Sequence, residues 1–92
     1  MLTVKPTSRF RKELKLAVKR GLDVEKLKRI VKILAEEKEV PAENRDHGLS
    51  GNFKGYRECH IESDWLLIYK ISRDVLVLSL ERTGTHSDLF KK

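Results

Sequence analysis

Three histidines fall in the second half of this 92-residue chain, each inside a short polar phrase: Asp46-His47-Gly48, His60-Ile61-Glu62-Ser63-Asp64 and Arg82-Thr83-Gly84-Thr85-His86. None lies on an apolar periodic face. Imidazole is the side chain whose ordinary pKa lets it both take and give a proton near neutrality. At an ordinary pKa of about 6.5, roughly a quarter of such rings are protonated at pH 7, so two of them can divide the work of base and acid. In-line attack of a 2′-hydroxyl on RNA needs that division. One group accepts the 2′ proton, a cation steadies the crowded phosphate, and an acid protonates the leaving 5′ oxygen. Two histidines and an arginine meet these needs with no metal or other cofactor.

The charge agrees with a polyanionic partner and is unevenly placed. Residues 1–38 carry 12 Lys/Arg against 5 Asp/Glu, while residues 39–92 carry 8 against 9. The cationic surplus lies in the part without histidines, as if one region gripped a polyanion and another acted on it. A Lys-rich solvated helix face explains the charge equally well. Ninety-two residues predict one domain over 1–92 with a single small core and no room for a cofactor domain. The lone Cys59 excludes an internal disulfide framework and fits a reducing compartment. With no apolar run approaching a membrane span and no secretory h-region, the sequence predicts a cytoplasmic protein.

These groups need elements to hold them. Leu2–Lys5 reads as a short strand ended by Pro6. Thr7 caps a helix running to about Arg20 with Phe10, Leu14, Ala17 and Val18 on one side, and Gly21 stops it. Asp23 caps a second helix in which Leu27, Ile30, Val31 and Leu34 follow the i, i+3, i+4, i+7 pattern. Leu22 and Leu27 stand as its hydrophobic staple. Glu36–Asn52 reads as a loop. Phe53–Ile61, Trp65–Ile71 and Val75–Glu81 read as three strands whose short connections force an antiparallel meander. The predicted fold class is α+β, an antiparallel helical hairpin packed on one face of a small, mostly antiparallel sheet.

If the 72–74 connection pairs Ile71 with Val75, Asp64 falls opposite Arg82, and His60 lies beside Asp64 on the neighbouring strand. His60, Asp64, Arg82 and His86 then share one end of the sheet, with His47 unplaced. Other readings of these residues are plainer. A single histidine in a small protein is more often a bystander than a catalyst. A zinc site wants about four ligands, often closely spaced. Here the histidines are 13 and 26 residues apart and Cys59 is alone, so no metal site is expected. Cys59 reads as a packed strand thiol, Trp65 and Tyr69 as core or groove wall, and Gly55 and Gly84 as backbone accommodations.

Four phrases in order, Asp46-His47-Gly48-Leu49-Ser50-Gly51, Gly55-Tyr56-Arg57-Glu58-Cys59-His60-Ile61, Asp64-Trp65-Leu66-Leu67-Ile68-Tyr69-Lys70 and Glu81-Arg82-Thr83-Gly84-Thr85-His86-Ser87-Asp88-Leu89-Phe90, resemble the YafQ branch of the RelE/ParE toxin superfamily. The resemblance covers nearly the whole chain. It implies the toxin of a type II toxin–antitoxin pair that cleaves mRNA on the translating ribosome. His47, His60, Asp64, His86 and Phe90 match positions the family uses for cleavage. His86 would be the acid, His60 or His47 the base, and Asp64 the group that orients or polarises. Arg82 would stabilise the phosphate and Phe90 would stack on a base, an interaction worth about 1–3 kcal/mol. Gly48 stands where relatives often have proline, which leaves the His47 loop less constrained.

The resemblance gives the basic helices a role as well: Arg9, Arg11, Lys12, Lys15, Lys19, Arg20, Lys28, Arg29 and Lys32 would bind ribosomal RNA phosphates. It implies a cognate antitoxin, usually in a heterotetramer of two toxins and two antitoxins that binds operator DNA through the antitoxin. No membrane partner is implied. Two rivals are a ParE-like toxin that poisons DNA gyrase, which does not need the histidine set, and an inactive nucleic-acid-binding regulator.

Overall fold

Pro6 closes a strand and Thr7 opens a helix, so two elements meet at one peptide. In the computed structural model, which describes residues 1–90, β1 spans Thr3–Pro6 and α1 spans Ser8–Lys19. Lys91 and Lys92, the last two residues of the expected domain, lie outside the described residues. The Thr7 side chain accepts from the Phe10 amide, satisfying one of the free donors at the helix start. Gly21, at φ +80°, turns the chain where a Cβ would be strained. Asp23 then caps α2, Val24–Ala35, through the Glu25 amide. Phe10, Ala17, Leu27, Ile30 and Leu34 face a shared core with Cys59, Ile61, Trp65, Leu67, Tyr69, Leu78 and Leu80 from the sheet, so both helices cover the same sheet face.

The sheet has five strands in the order β1-β5-β4-β3-β2, where β2 is His47–Gly48, β3 Arg57–Glu62, β4 Trp65–Ser72 and β5 Val77–Gly84. Only the β1–β5 pair is parallel, so the α+β fold and the mostly antiparallel sheet stand as expected. Several boundaries differ: β5 runs Val77–Gly84 rather than Val75–Glu81, and β3 begins at Arg57 rather than at Phe53. Phe53 belongs to a 3₁₀ turn rather than to β3, two residues of the long loop form β2, and His86–Leu89 form a short helix, α3. Leu66, Ile68 and Leu89 make a second, smaller core on the far sheet face, with Leu49, Phe53, Tyr56 and Phe90 packed on it.

The expected β4–β5 register is corrected. The connection runs through residues 73–76, one longer than expected, with Leu76 at φ +55°, and Ser72 pairs Val77. One further residue, Glu81, bulges out between the Tyr69–Leu80 and Ile68–Arg82 pairs. Because the turn also begins one residue later than expected, β5 beyond the bulge pairs four positions later than a tight turn would bring it, with Ile68 opposite Arg82. His86, not Arg82, reaches the level of Asp64.

Candidate active site

The β3 strand carries the centre of the site. Cys59 and Ile61 point into the helix-side core, so the alternate residues Glu58 and His60 face the other way. β2 pairs His47 directly with Glu58, and α3 presents His86 after the end of β5. The His60 and His86 ring centroids are 5.7 Å apart. Glu58 Oε1 lies 3.5 Å from His60 Nε2 and 3.6 Å from His47 Nε2. Its side chain is only 6% exposed, beneath the more open rings.

Each imidazole has one nitrogen committed to a pure acceptor. His47 Nδ1 meets the Arg45 carbonyl at 2.8 Å, His60 Nδ1 the Ser63 carbonyl at 3.4 Å, and His86 Nδ1 the Asp64 carboxylate at 2.7 Å. A carbonyl or carboxylate oxygen can only accept, so Nδ1 donates in all three. That leaves Nε2 of every ring without a hydrogen bond and able to take or hold a proton, with Nε2 of His47 and of His60 facing Glu58 at ion-pair distance. Asp64 also accepts from the His86 backbone amide at 3.0 Å. That backbone bond, and then the imidazole bond, hold the Asp64 carboxyl below its ordinary range, so it is ionised at neutral pH.

Two further groups fix the segments that carry the rings. The Tyr69 hydroxyl, rising from the core, donates to Asp46 at 2.6 Å, and Arg57 donates to the same oxygen at 3.2 Å. The loop before His47 is therefore pinned to the sheet, despite the freedom Gly48 allows. Burial, and then Asp46, push the Tyr69 hydroxyl well above its ordinary pKa, so it stays a donor. At α3, Thr85 and Asp88 form a capping box, and Arg20 from the end of α1 clamps Asp88 at 2.7 Å. That arginine is the main reason the Asp88 carboxyl is depressed to about 2. Gly84 is needed here because a Cβ would lie 2.9 Å from the Asp88 side chain.

Not every expected member joins. Arg82 is corrected: its guanidinium donates to both oxygens of Glu13 on α1, at 2.7 and 3.1 Å, and it pairs Ile68 rather than facing Asp64. Glu13 also accepts from the Thr83 amide, closing the β5 edge where β1 has ended. Phe90 stands four residues beyond His86, but its ring is half-buried edge-on against Phe53, 5.4 Å between centroids. The nine basic residues expected to bind RNA are all exposed on α1, α2 and the residue capping α1, although Arg20 is engaged by Asp88. Cys59 is fully buried, and burial raises its thiol to about 12, so it is a packed thiol and no nucleophile.

Glu58 was not among the expected site residues. Its position two before His60 on a strand was the available signal, because residues i and i+2 share a face. Glu58, His60 and His86 come from β3 and α3, far apart in sequence, yet offer ligand atoms all within 4.8 Å of one another.

Comparison with known proteins agrees with this fold. A family model described as a bacterial toxin of type II toxin–antitoxin system, YafQ, matches residues 2–91. The mRNA interferase toxin YafQ of Escherichia coli K12 is 45% identical over 85 residues, covering 91% of this chain and 90% of that protein. Among solved structures, the E. coli DinJ–YafQ complex has a chain 42% identical, with TM-score 0.89, covering 98% of this chain and 99% of that one. A metal-bound toxin from Helicobacter pylori is 42% identical, with TM-score 0.93, covering 98% and 100%.

Proposed function

The chain belongs to the YafQ family of bacterial type II toxins, and we propose on that premise that it is an mRNA endoribonuclease. It acts as one cytoplasmic domain over residues 1–92 on the translating ribosome, cutting by metal-independent acid–base catalysis. The observation that carries this is the shared tautomer of His47, His60 and His86, each with Nδ1 committed and Nε2 free around Glu58. Such a set can hold a proton on one ring while another accepts one, as transphosphorylation requires.

In the reaction, His60 Nε2 takes the proton from the 2′-hydroxyl, with His47 as the neighbouring group. The 2′ oxygen forms a bond to phosphorus as the bond from phosphorus to the 5′ oxygen breaks. His86 Nε2 delivers a proton to that leaving oxygen. Asp64 holds the His86 ring and stabilises its charged form through Nδ1, and Glu58 does not touch the RNA but keeps the two β-strand rings in register. Phe90, braced by Phe53, stacks on a base of the message. Since Arg82 is engaged by Glu13, the protonated imidazoles and nearby basic side chains steady the phosphate instead. The basic surface of α1 and α2 holds ribosomal RNA, with affinity falling steeply as salt rises.

An antitoxin partner follows from the same kinship. A YafQ of E. coli is solved in a toxin–antitoxin complex with DinJ, and a cognate antitoxin would neutralise this chain, in an assembly of two toxins and two antitoxins on operator DNA. The test is to incubate the protein with programmed ribosomes and map mRNA ends by primer extension. New ends inside the reading frame are expected. An unbroken message over a range of codons would overturn the reading.

A further inference from the structure

We propose that Arg45 is the cation of the cleavage step: its guanidinium binds the nonbridging oxygens of the scissile phosphate beside His47 and His60. The proposal rests on the nuclease reading above and fills the place from which Glu13 withdraws Arg82. Residues 39–90 carry four arginines, Arg45, Arg57, Arg73 and Arg82. Three are paired with carboxylates: Arg57 with Asp46, Arg73 with Glu37 and Arg82 with Glu13. Arg45 is exposed, and among the described residues it has no carboxylate partner.

The fold brings this arginine to the histidine rim. Its carbonyl accepts from His47 Nδ1 at 2.8 Å, so the residue abuts one ring directly. Asn44, just before it, donates to the His60 carbonyl at 2.7 Å and ties the same turn to the strand that carries the second ring. Arg45, His60 and Ser63 line one open cavity of about 330 Å³. Glu43 and Glu62 share its wall, but Glu62 is engaged by Lys26 at 3.4 Å and neither pairs with Arg45.

The backbone adds a separate observation. Arg45 sits at φ +46° and ψ +49°, in the left-handed region that a residue with a Cβ enters at a cost. Its amide donates to the Ala42 carbonyl at 3.1 Å and its own carbonyl is held by His47, so the turn over-determines this conformation. Glycine or asparagine suits such a backbone better, so the turn does not account for the arginine and its side chain does.

As the 2′ oxygen bonds to phosphorus, negative charge builds on the nonbridging oxygens. A guanidinium offers two parallel N–H donors to such oxygens. It keeps its proton at every working pH, so it steadies that charge without competing for the proton that His60 takes or the one that His86 gives.

The experiment has two arms. In the first, the full chain cuts programmed ribosomes in single turnover. Arg45→Asn tolerates the left-handed turn but removes the charge. Its cutting rate at saturating toxin should fall about 10²-fold, with little change in the toxin concentration that gives half the maximal rate. Arg45→Lys keeps the charge and should recover about tenfold of that loss. A phosphorothioate at the scissile position should slow the wild type more than Arg45→Asn, because sulfur weakens a contact the variant has already lost. Full-rate cutting by Arg45→Asn, Arg45→Lys no better than Arg45→Asn, or an equal sulfur effect in both, would overturn the assignment. The second arm titrates a 2′-deoxy dinucleotide phosphodiester into the chain alone, following Arg45 Nε and the His47 and His60 rings by nuclear magnetic resonance. Joint shifts are expected, with affinity about tenfold weaker in Arg45→Asn. An unmoved Arg45 signal would overturn the contact. If the wild type fails to cut, the nuclease reading falls, while this titration still decides whether Arg45 binds a phosphodiester.

Discussion

Two charged clusters flank β5, and they are built to opposite ends. At the α1 edge, Glu13 and Arg82 form a bidentate pair through Nε and Nη2, with side chains 18% and 15% exposed. Glu13 spends its remaining capacity on the Thr83 amide. At the β3 rim, every ring has one nitrogen committed and one left over, around a buried carboxylate. The first arrangement stabilises an edge and has most of its charge already paired. The second leaves nitrogens without a hydrogen bond on rings that are half-exposed at His47 and His86. A formal inventory of charged residues cannot separate the two; hydrogen-bond accounting can.

The difference can be broken by substitution. His86→Ala should reduce single-turnover cleavage by about 10²–10⁴-fold, the usual worth of a general acid or base. Its melting temperature should stay within a few degrees, since the side chain is exposed. Arg82→Ala should do the reverse. Stranding Glu13 in a part-buried site costs about 3 kcal/mol, which lowers the melting temperature by more than about 10 °C. Glu13→Gln should fall in the same direction by thermal melt. If Arg82→Ala kept its stability and lost cleavage, the two clusters would not be distinct.

Smaller effects sharpen the account. Tyr69→Phe removes one bond to Asp46 and should cost about 1 kcal/mol, or roughly 4–8 °C. It should also slow cleavage in the wild-type background but not in His47→Ala, because its effect runs through the His47 loop. Additive losses in the double variant would contradict that route. Asp88 contributes least. Its carboxyl is depressed from 3.8 to about 2 in the fold, so the stability it lends is present above about pH 4 and is lost as pH falls towards 2. Asp88→Asn should lower the neutral-pH melting temperature slightly and flatten the acid limb of stability against pH, followed by circular dichroism.

Much of this was legible in the residues. Thr7, Gly21 and Asp23 mark helix ends through local hydrogen bonds that depend on no distant contact, and both caps appear where those residues stand. The strands were legible from their apolar runs. Register was not, because it depends on turn length and on the Glu81 bulge, and neither leaves a periodic signal. That one uncertainty moved Arg82 away from Asp64 and brought His86 to it. Glu58 and the Tyr69–Asp46 bond were hidden for a related reason: their roles appear only when β2 and β4 flank β3. Helix α3 was missed because four residues carry no period, although its Thr85–Asp88 capping box was there to be read.

The central claim is that the histidine rim moves protons during attack by the 2′-hydroxyl. The most direct measurement is the chemistry of the cut ends, made with metal-stripped protein on programmed ribosomes. The account predicts a 2′,3′-cyclic phosphate, or the 3′-phosphate from its hydrolysis, upstream and a 5′-hydroxyl downstream, with no cutting where the scissile nucleotide is 2′-deoxy. A 3′-hydroxyl with a 5′-phosphate, or undiminished cutting at the 2′-deoxy position, would contradict it.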